Sequence, residues 1–354
     1  MKILTATGDF FKSKVLALVL MLVILVTILA ATVLLPVPVA QSVVFKTVWF
    51  NTLLVLLVLN TACCFFSRIH RRGWTLVSSG MIIFHLSFVA LFVGVVANNL
   101  FYYKGSLRLT EGESMALADP DAYDREEWGR FFSHAWMRGT MTFHKQLIGY
   151  MAGNQQKGIS HEISVHDGTR QVRDVIYPTH HLEVNGFKFY SGSDGFAPLF
   201  VLYDRSGKEI YGAYTALQSF KQADGTYLYT TGTRLDGPGS ADFPQIPGMP
   251  PLLRIQFTYN LPKWTRDLQT VSYKVWEYDR EKKQHQGRLL YDGTAAIGEK
   301  VTFGEYALAM KEIRYWAGTD VIYNPGQPIV LTGLVTGLGG LSLSMFGRFI
   351  RQRT

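Results

Sequence analysis

Residues Leu76–Asn98, LVSSGMIIFHLSFVALFVGVVAN, hold 23 side chains and a single ionisable group, His85. A helix of about 20 apolar residues crosses the hydrocarbon core of a bilayer, so this stretch predicts a membrane span. Three other stretches match it. Val15–Leu35 runs 21 residues without a charge, and Pro328–Phe346 runs 19. Thr47–Phe66 runs 20, interrupted only by Asn51, Thr52, Asn60 and Thr61. The first run exceeds the roughly 7–15 apolar residues of a signal peptide and reads as a retained helix.

The charge distribution agrees. The chain has 354 residues and a net charge of +8, with a charged fraction of only 18%. From Leu100 to Gly326 there are 25 basic and 26 acidic residues, so that span is close to neutral. The remainder holds ten basic residues and one acid, Asp9. The basic residues are Lys2, Lys12, Lys14, Lys46, Arg68, Arg71, Arg72, Arg348, Arg351 and Arg353, and every one flanks an apolar run. Basic residues in such places orient membrane helices and do not form a nucleic-acid footprint. Threading four helices alternately puts all of them except Lys46 on one side. The positive-inside rule makes that side the cytoplasm, with both termini in it, in the plasma (inner) membrane.

The predicted organisation is therefore membrane α plus exported β. Residues 1–99 form a three-helix transmembrane region. Residues 100–326 form an extracytoplasmic β-rich domain, a sandwich or an open barrel. Residues 327–354 form a final transmembrane helix and short tail. Strands are expected at Phe187–Tyr190, Leu199–Tyr203, Leu253–Tyr259 and Val271–Tyr278, which are aromatic and β-branched. Turns are expected at Asp167-Gly168, Asn185-Gly186, Asp224-Gly225 and Asp292-Gly293. The proline-rich Gly237–Pro251 reads as a long loop, and one helical stretch, begun by Asp119-Pro120, is expected between Asp121 and Ile148.

His85 is the first residue to weigh for chemistry. It lies nine residues past Leu76, about 14 Å into the bilayer. An imidazolium there is costly, so the ring is expected to be neutral and turned toward protein. A neutral imidazole is a good axial ligand for haem iron. It can equally hydrogen-bond a neighbouring helix, and the residues alone leave both readings open. No second histidine lies within a span, so a bis-histidine iron would take its other ligand from another polypeptide or a second copy. His134, His144, His161, His166, His180, His181 and His285 fall in the predicted exported domain without metal-ligand spacing. No nucleotide-binding or hydrolase motif occurs. Cys63 and Cys64 are adjacent and read as small packing residues, as Asn51 and Asn60 read as helix glue. Gly333 and Gly337 form a GxxxG.

Several segments, taken in order, resemble the ResB/CcsB proteins of the System II pathway of cytochrome c biogenesis. Val48-Trp49-Phe50-Asn51-Thr52-Leu53-Leu54, running to Leu59-Asn60-Thr61-Ala62-Cys63, is similar to the family's second span. Phe84-His85-Leu86-Ser87-Phe88, Gly94, Gly105-Ser106-Leu107 and Glu111-Gly112-Glu113 are similar to its third span and exit. Asn185-Gly186-Phe187-Lys188-Phe189-Tyr190-Ser191 resembles one of its strands, and Asn324-Pro325-Gly326-Gln327-Pro328-Ile329-Val330 the entry to its last span. Leu34-Leu35-Pro36-Val37-Pro38 departs from the usual end of span one, and Ala118–Gly158 aligns with nothing in the family.

The resemblance implies a haem-export and cytochrome c synthetase complex. In it, this chain would hold and deliver haem b, transiently and as a bis-histidine complex shared with a partner. The implied partners are a CcsA/ResC-type membrane haem lyase and apocytochrome c. His85 occupies the position of the family's transmembrane haem-iron ligand. The seven tryptophans, Trp49, Trp74, Trp128, Trp136, Trp264, Trp276 and Trp316, are too scattered for the partner's tryptophan-rich motif. The chain is thus expected to be a non-catalytic or haem-channel subunit. The competing expectation is a membrane-anchored β-domain scaffold without cofactor.

Overall fold

In a computed structural model, the described residues are 13–69, 75–223, 226–234, 237–246, 248–261, 270–278 and 287–353. The chain divides into two units. One comprises Met1–Gly105, Glu126–His134 and Val321–Thr354; the other comprises Ser106–Arg125 and Ala135–Asp320.

The first unit is helical. Its helices are α1 (Lys14–Leu34), α2 (Val48–Ile69), α3 (Leu76–Phe101) and α4 (Gln327–Arg353). Capping sets their starts. The Ser13 hydroxyl accepts from the Leu16 amide. Thr75 and Ser78 form a reciprocal capping box that opens α3. Three helices are long and apolar enough to cross a membrane: α1, α3 and α4. Four were expected; among the described residues three reach that length. Among the described residues α2 counts as a shorter apolar helix, Val48–Cys63.

α3 and α4 pack antiparallel through a seam of small residues. Gly80 meets the backbone of Gly340 and Ser344, Ser87 meets Gly333 and Gly337, and Gly94 meets Gly326 and Val330. The residues on α3 are seven apart, and so are Gly326, Gly333, Gly340 and Gly347. Such a repeat keeps one seam facing its partner along both helices. A Cβ on Gly340 would lie 2.7 Å from the Phe84 nitrogen and 2.8 Å from the Gly80 oxygen. Without side chains the backbones approach closely, which is how lipid-embedded helices gain van der Waals contact. Of the GxxxG pair, Gly333 is a point of this longer repeat, and Gly337 meets the Ser87 side chain beside it.

Asparagines tie α1, α2 and α3 together. Asn51 donates to the carbonyls of Phe45 (3.1 Å) and Thr47 (2.9 Å), and its Oδ1 accepts from Asn99 (3.2 Å). Asn60 donates to the Ser13 carbonyl at 3.1 Å. Phe92 and Val96 of α3 pack against the cluster of Leu20, Ile24, Phe50, Leu54 and Leu57.

The second unit is β-rich. A seven-stranded sheet runs in the order Glu209–Tyr214, Phe187–Tyr203, Tyr306–Tyr323, Tyr103–Thr110, Tyr123–Trp128, with Leu182–Val184 and Lys300–Phe303 added beside it. The ends Tyr103–Gly105, Glu126–Trp128 and Val321–Tyr323 belong to the helical unit. A six-stranded sheet runs Gln218–Lys221, Tyr227–Thr230, Leu253–Leu261, Thr270–Glu277, Leu289–Ala296, with Ala241–Phe243 beside the third strand. Strict alternation gives this sheet one apolar face: Leu253, Ile255, Phe257, Val271, Tyr273 and Val275 are buried. They share one core with Phe196, Phe200, Leu308 and Met310 of the larger sheet, as in a sandwich. A third sheet runs Ser114–Ala116, Thr140–Ile148, Ile159–His166, Gln171–Ile176.

Asn185-Gly186 is the expected two-residue hairpin turn. Both residues have positive φ (52° and 80°), joining Val184 to Phe187. Two expectations fail. Asp121–Ile148 contains no helix beyond the 3₁₀ turns Pro120–Ala122 and His134–Trp136; it forms strands Tyr123–Trp128 and Thr140–Ile148. Met141 and Phe143 alternate inward there, and a bulge before Lys145 resets the phase, which hid the period of two. Asp292-Gly293 lies inside a strand, with Gly293 opposite Tyr273. The Tyr291 phenol lies across Gly293, 2.6 Å from where a Cβ would be, so the glycine serves a close approach and not a turn. Gly237–Pro251 is a loop only in part, since Gly237–Gly239 and Ala241–Phe243 pair as strands. Asp224-Gly225 lies outside the described residues.

Candidate functional site

His85 sits in the middle third of α3 and is half-buried. At 100° per residue its side chain points about 160° away from the Gly80–Ser87–Gly94 seam. It shares a face with Phe92, Val96 and Asn99, the residues of α3 that face α1 and α2. Its Nδ1 lies 2.7 Å from the Met81 carbonyl oxygen, one turn back. A carbonyl can only accept, so Nδ1 donates to it, and in a neutral ring the lone pair is then on Nε2. The ring stands edge-on to Phe84, centroids 5.8 Å apart.

This is the arrangement in which imidazoles ligate metals. The nitrogen away from the metal donates to a carbonyl, fixing tautomer and ring angle. Among the described residues no group of three or more His, Cys, Asp or Glu could enclose a metal ion. What His85 can offer a metal is one imidazole nitrogen, as a porphyrin iron would need from this chain. His70 and His285 lie outside the described residues, as does the side chain of Cys64; Cys63 is a half-buried free thiol.

Lys46, the one basic residue that broke the charge asymmetry, is accounted for by its neighbours. Its ammonium pairs with Glu127 and lies 4.8 Å from the centre of the Tyr102 ring. Glu127 also accepts from the Tyr102 hydroxyl at 3.0 Å.

His134 and the described histidines of the β-region each have a local partner. His134 Nε2 is 3.2 Å from Glu126, which also accepts from Tyr103 at 2.6 Å. His180 pairs with Asp174 at 2.9 Å and stacks on Tyr177. His181 stacks on Tyr190, so the adjacent pair diverges. Two serine–histidine contacts escaped the sequence, because cross-strand register alone creates them. Ser191 Oγ is 3.2 Å from His161 Nδ1, and Ser164 Oγ is 2.8 Å from His144 Nε2. Neither makes a nucleophile. Ser164 is buried, and burial pushes the His161 imidazole down to about 4, too acidic for a base at neutral pH.

That buried ring has a consequence for stability. His161 binds its proton less readily folded than unfolded, so its contribution is complete above pH 6.5 and is lost as the pH falls toward 4. The full loss is about 3 kcal/mol. His144, lowered by burial and by Arg173, adds a slope of the same sign. Melting of the full chain in detergent is expected to drop between pH 6.5 and 4. His161→Gln should flatten most of that slope, and an unchanged slope refutes the assignment.

Apolar helices joined to a β-rich domain define a membrane-associated protein whose polar mass is a β-domain. The model of the ResB-like family matches residues 71–353, and the chain belongs to that family, which is associated with cytochrome c biogenesis. The match takes in α3, His85, the β-domain and α4; it begins after α1 and α2. No curated protein matches the chain.

Proposed function

We propose that this protein is the haem-holding membrane subunit of a cytochrome c synthetase. Haem b is its cargo, and His85 Nε2 supplies one axial ligand to the iron. The reading rests on one observation: the Met81 carbonyl fixes His85 in the tautomer that ligation requires. The iron's second ligand comes from a CcsA/ResC-type partner, which joins the haem to apocytochrome c. Haem brings a ferrous iron and two vinyl groups able to receive thiols. This chain's own part is to bind the iron and exclude water from the site.

The topology proposed has four crossings, α2 included, with both termini cytoplasmic and the β-domain outside. The basic flanks support it, and so does the neutralisation of Lys46 by Glu127 on the outer side. Residues 1–99 and 327–354 then carry the membrane part and residues 100–326 the extracytoplasmic part. The test is an optical spectrum of the purified chain with its co-expressed partner. A Soret band is expected in the native complex. A colourless complex with every partner retained would establish the scaffold role instead.

A further inference from the structure

Residues 126–134, within the stretch that the ResB-like family model matches, return to the outer end of α3. Two hydrogen bonds pin them there: the Gly129 amide donates to the Tyr102 carbonyl and the Phe131 amide to the Leu100 carbonyl, both at 2.8 Å. Gly129 permits this, because a Cβ would stand 2.5 Å from the Leu100 carbonyl. The inward side of the loop is filled. Phe132 is buried and stacks on Tyr103 with ring centres 4.7 Å apart, and His134 reaches Glu126. The outward side presents large apolar groups: Trp128 is 46% exposed and Phe131 is 53% exposed, with exposed Arg130 between them. Such exposure on a loop this well tied is not slack.

We infer that Trp128 and Phe131 anchor the protein in the lipid headgroup layer. The height is dictated by connection. Phe131 lies 5.8 Å from Phe101, the last residue of α3, and Glu127 pairs with Lys46, three residues before Trp49. Trp49, in the first turn of α2, is 47% exposed. Two tryptophans on different segments thus stand within about one helical turn, 5 Å, of the ends of apolar helices. The interfacial layer on each side of the core is about 5–8 Å thick. Tryptophan and basic side chains favour that layer, because one end of each is apolar and the other polar. The occupant is therefore the phospholipid surface around α3, and the anchor rests on the proposed crossing of α3.

Nitroxide labels on the full chain in phosphatidylcholine nanodiscs test this, in a Cys63→Ser, Cys64→Ser background. The sites are Phe131→Cys, Leu25→Cys on the exposed face of α1, and Ser206→Cys in an exposed turn as the aqueous reference. The label at 131 is expected to lose several-fold accessibility to a water-soluble nickel chelate relative to 206, with a depth between those of 206 and 25. If 25 is lipid-like while 131 behaves as 206, the anchor is refuted and the membrane reading survives. Shielding of 131 from both nickel and oxygen would mean a protein contact, also refuting it. If 25 is itself water-like, the membrane reading and the anchor fall together. Should Phe131→Cys fail to fold, quenching by headgroup-labelled lipid decides: it should drop in Trp128→Phe, and an unchanged signal overturns the inference.

Discussion

Gly340→Leu is expected to abolish the folded helical unit, while Gly339→Leu leaves it intact. The two positions are adjacent on α4, and the substitutions are identical in hydropathy and in helix propensity. Each gains about 0.8–1 kcal/mol of intrinsic helical preference over glycine. They differ only in what the new side chain meets. A Cβ at 339 finds no atom within 4 Å. At 340 it finds the Phe84 nitrogen, the Gly80 oxygen and the Ile83 side chain, all within 2.9 Å. Two of these are backbone atoms of a helix and cannot rotate away, so α3 and α4 must separate along the seam. Overpacking alone costs about 1–3 kcal/mol. Separation also forfeits the contacts of Gly80, Ser87 and Gly94, so the cost exceeds that range. Melting in detergent and yield of monodisperse protein measure it. Equal behaviour of the two variants would refute the seam.

The second large effect is at His85. His85→Ala and His85→Gln should both remove the Soret band of the co-purified complex and stop cytochrome c maturation in cells dependent on this chain. Losing an outer-shell partner of a metal ligand costs about 10–100-fold in metal affinity, and losing the ligand itself costs more. Glutamine nearly preserves volume and polarity. It therefore separates the two readings that the residues alone left open. If His85 only packs or hydrogen-bonds, glutamine retains haem and maturation; if its Nε2 grips the iron, glutamine fails as alanine does. Partner retention in both variants is the control, since the α3–α4 seam lies on the opposite face of the helix.

Much of the architecture was legible in the residue order. Hydropathy located α1, α3 and α4, because twenty uncharged side chains in a row leave a helix in lipid as the only way to satisfy the backbone. The strands expected at 253–259 and 271–278 followed from aromatic and β-branched composition and form at 253–261 and 270–277, and the 185–186 turn followed from two residues that tolerate positive φ. The strands between 121 and 148 were not legible. A bulge shifts the inward phase at Phe143, and burial of Met141 and Phe143 depends on partners elsewhere in the chain. Asp292-Gly293 misled for a related reason. The dipeptide is a turn signal only when no neighbouring ring needs the space.

His85 was singled out by sequence because a lone ionisable group in a 23-residue apolar run is conspicuous. Its tautomer was not, since that depends on the backbone carbonyl one turn earlier. By itself the sequence determined which segments seek lipid, which seek a two-faced sheet, and where an imidazole falls along a span. These are properties of composition and period, carried by each segment alone. The tertiary structure decided the seven-residue glycine seam, the pairing of Lys46 with Glu127, the burial of His161 and the docking of residues 126–134 on α3. Each of those requires two distant parts of the chain to meet, and the free energy of meeting belongs to neither part until the fold has formed.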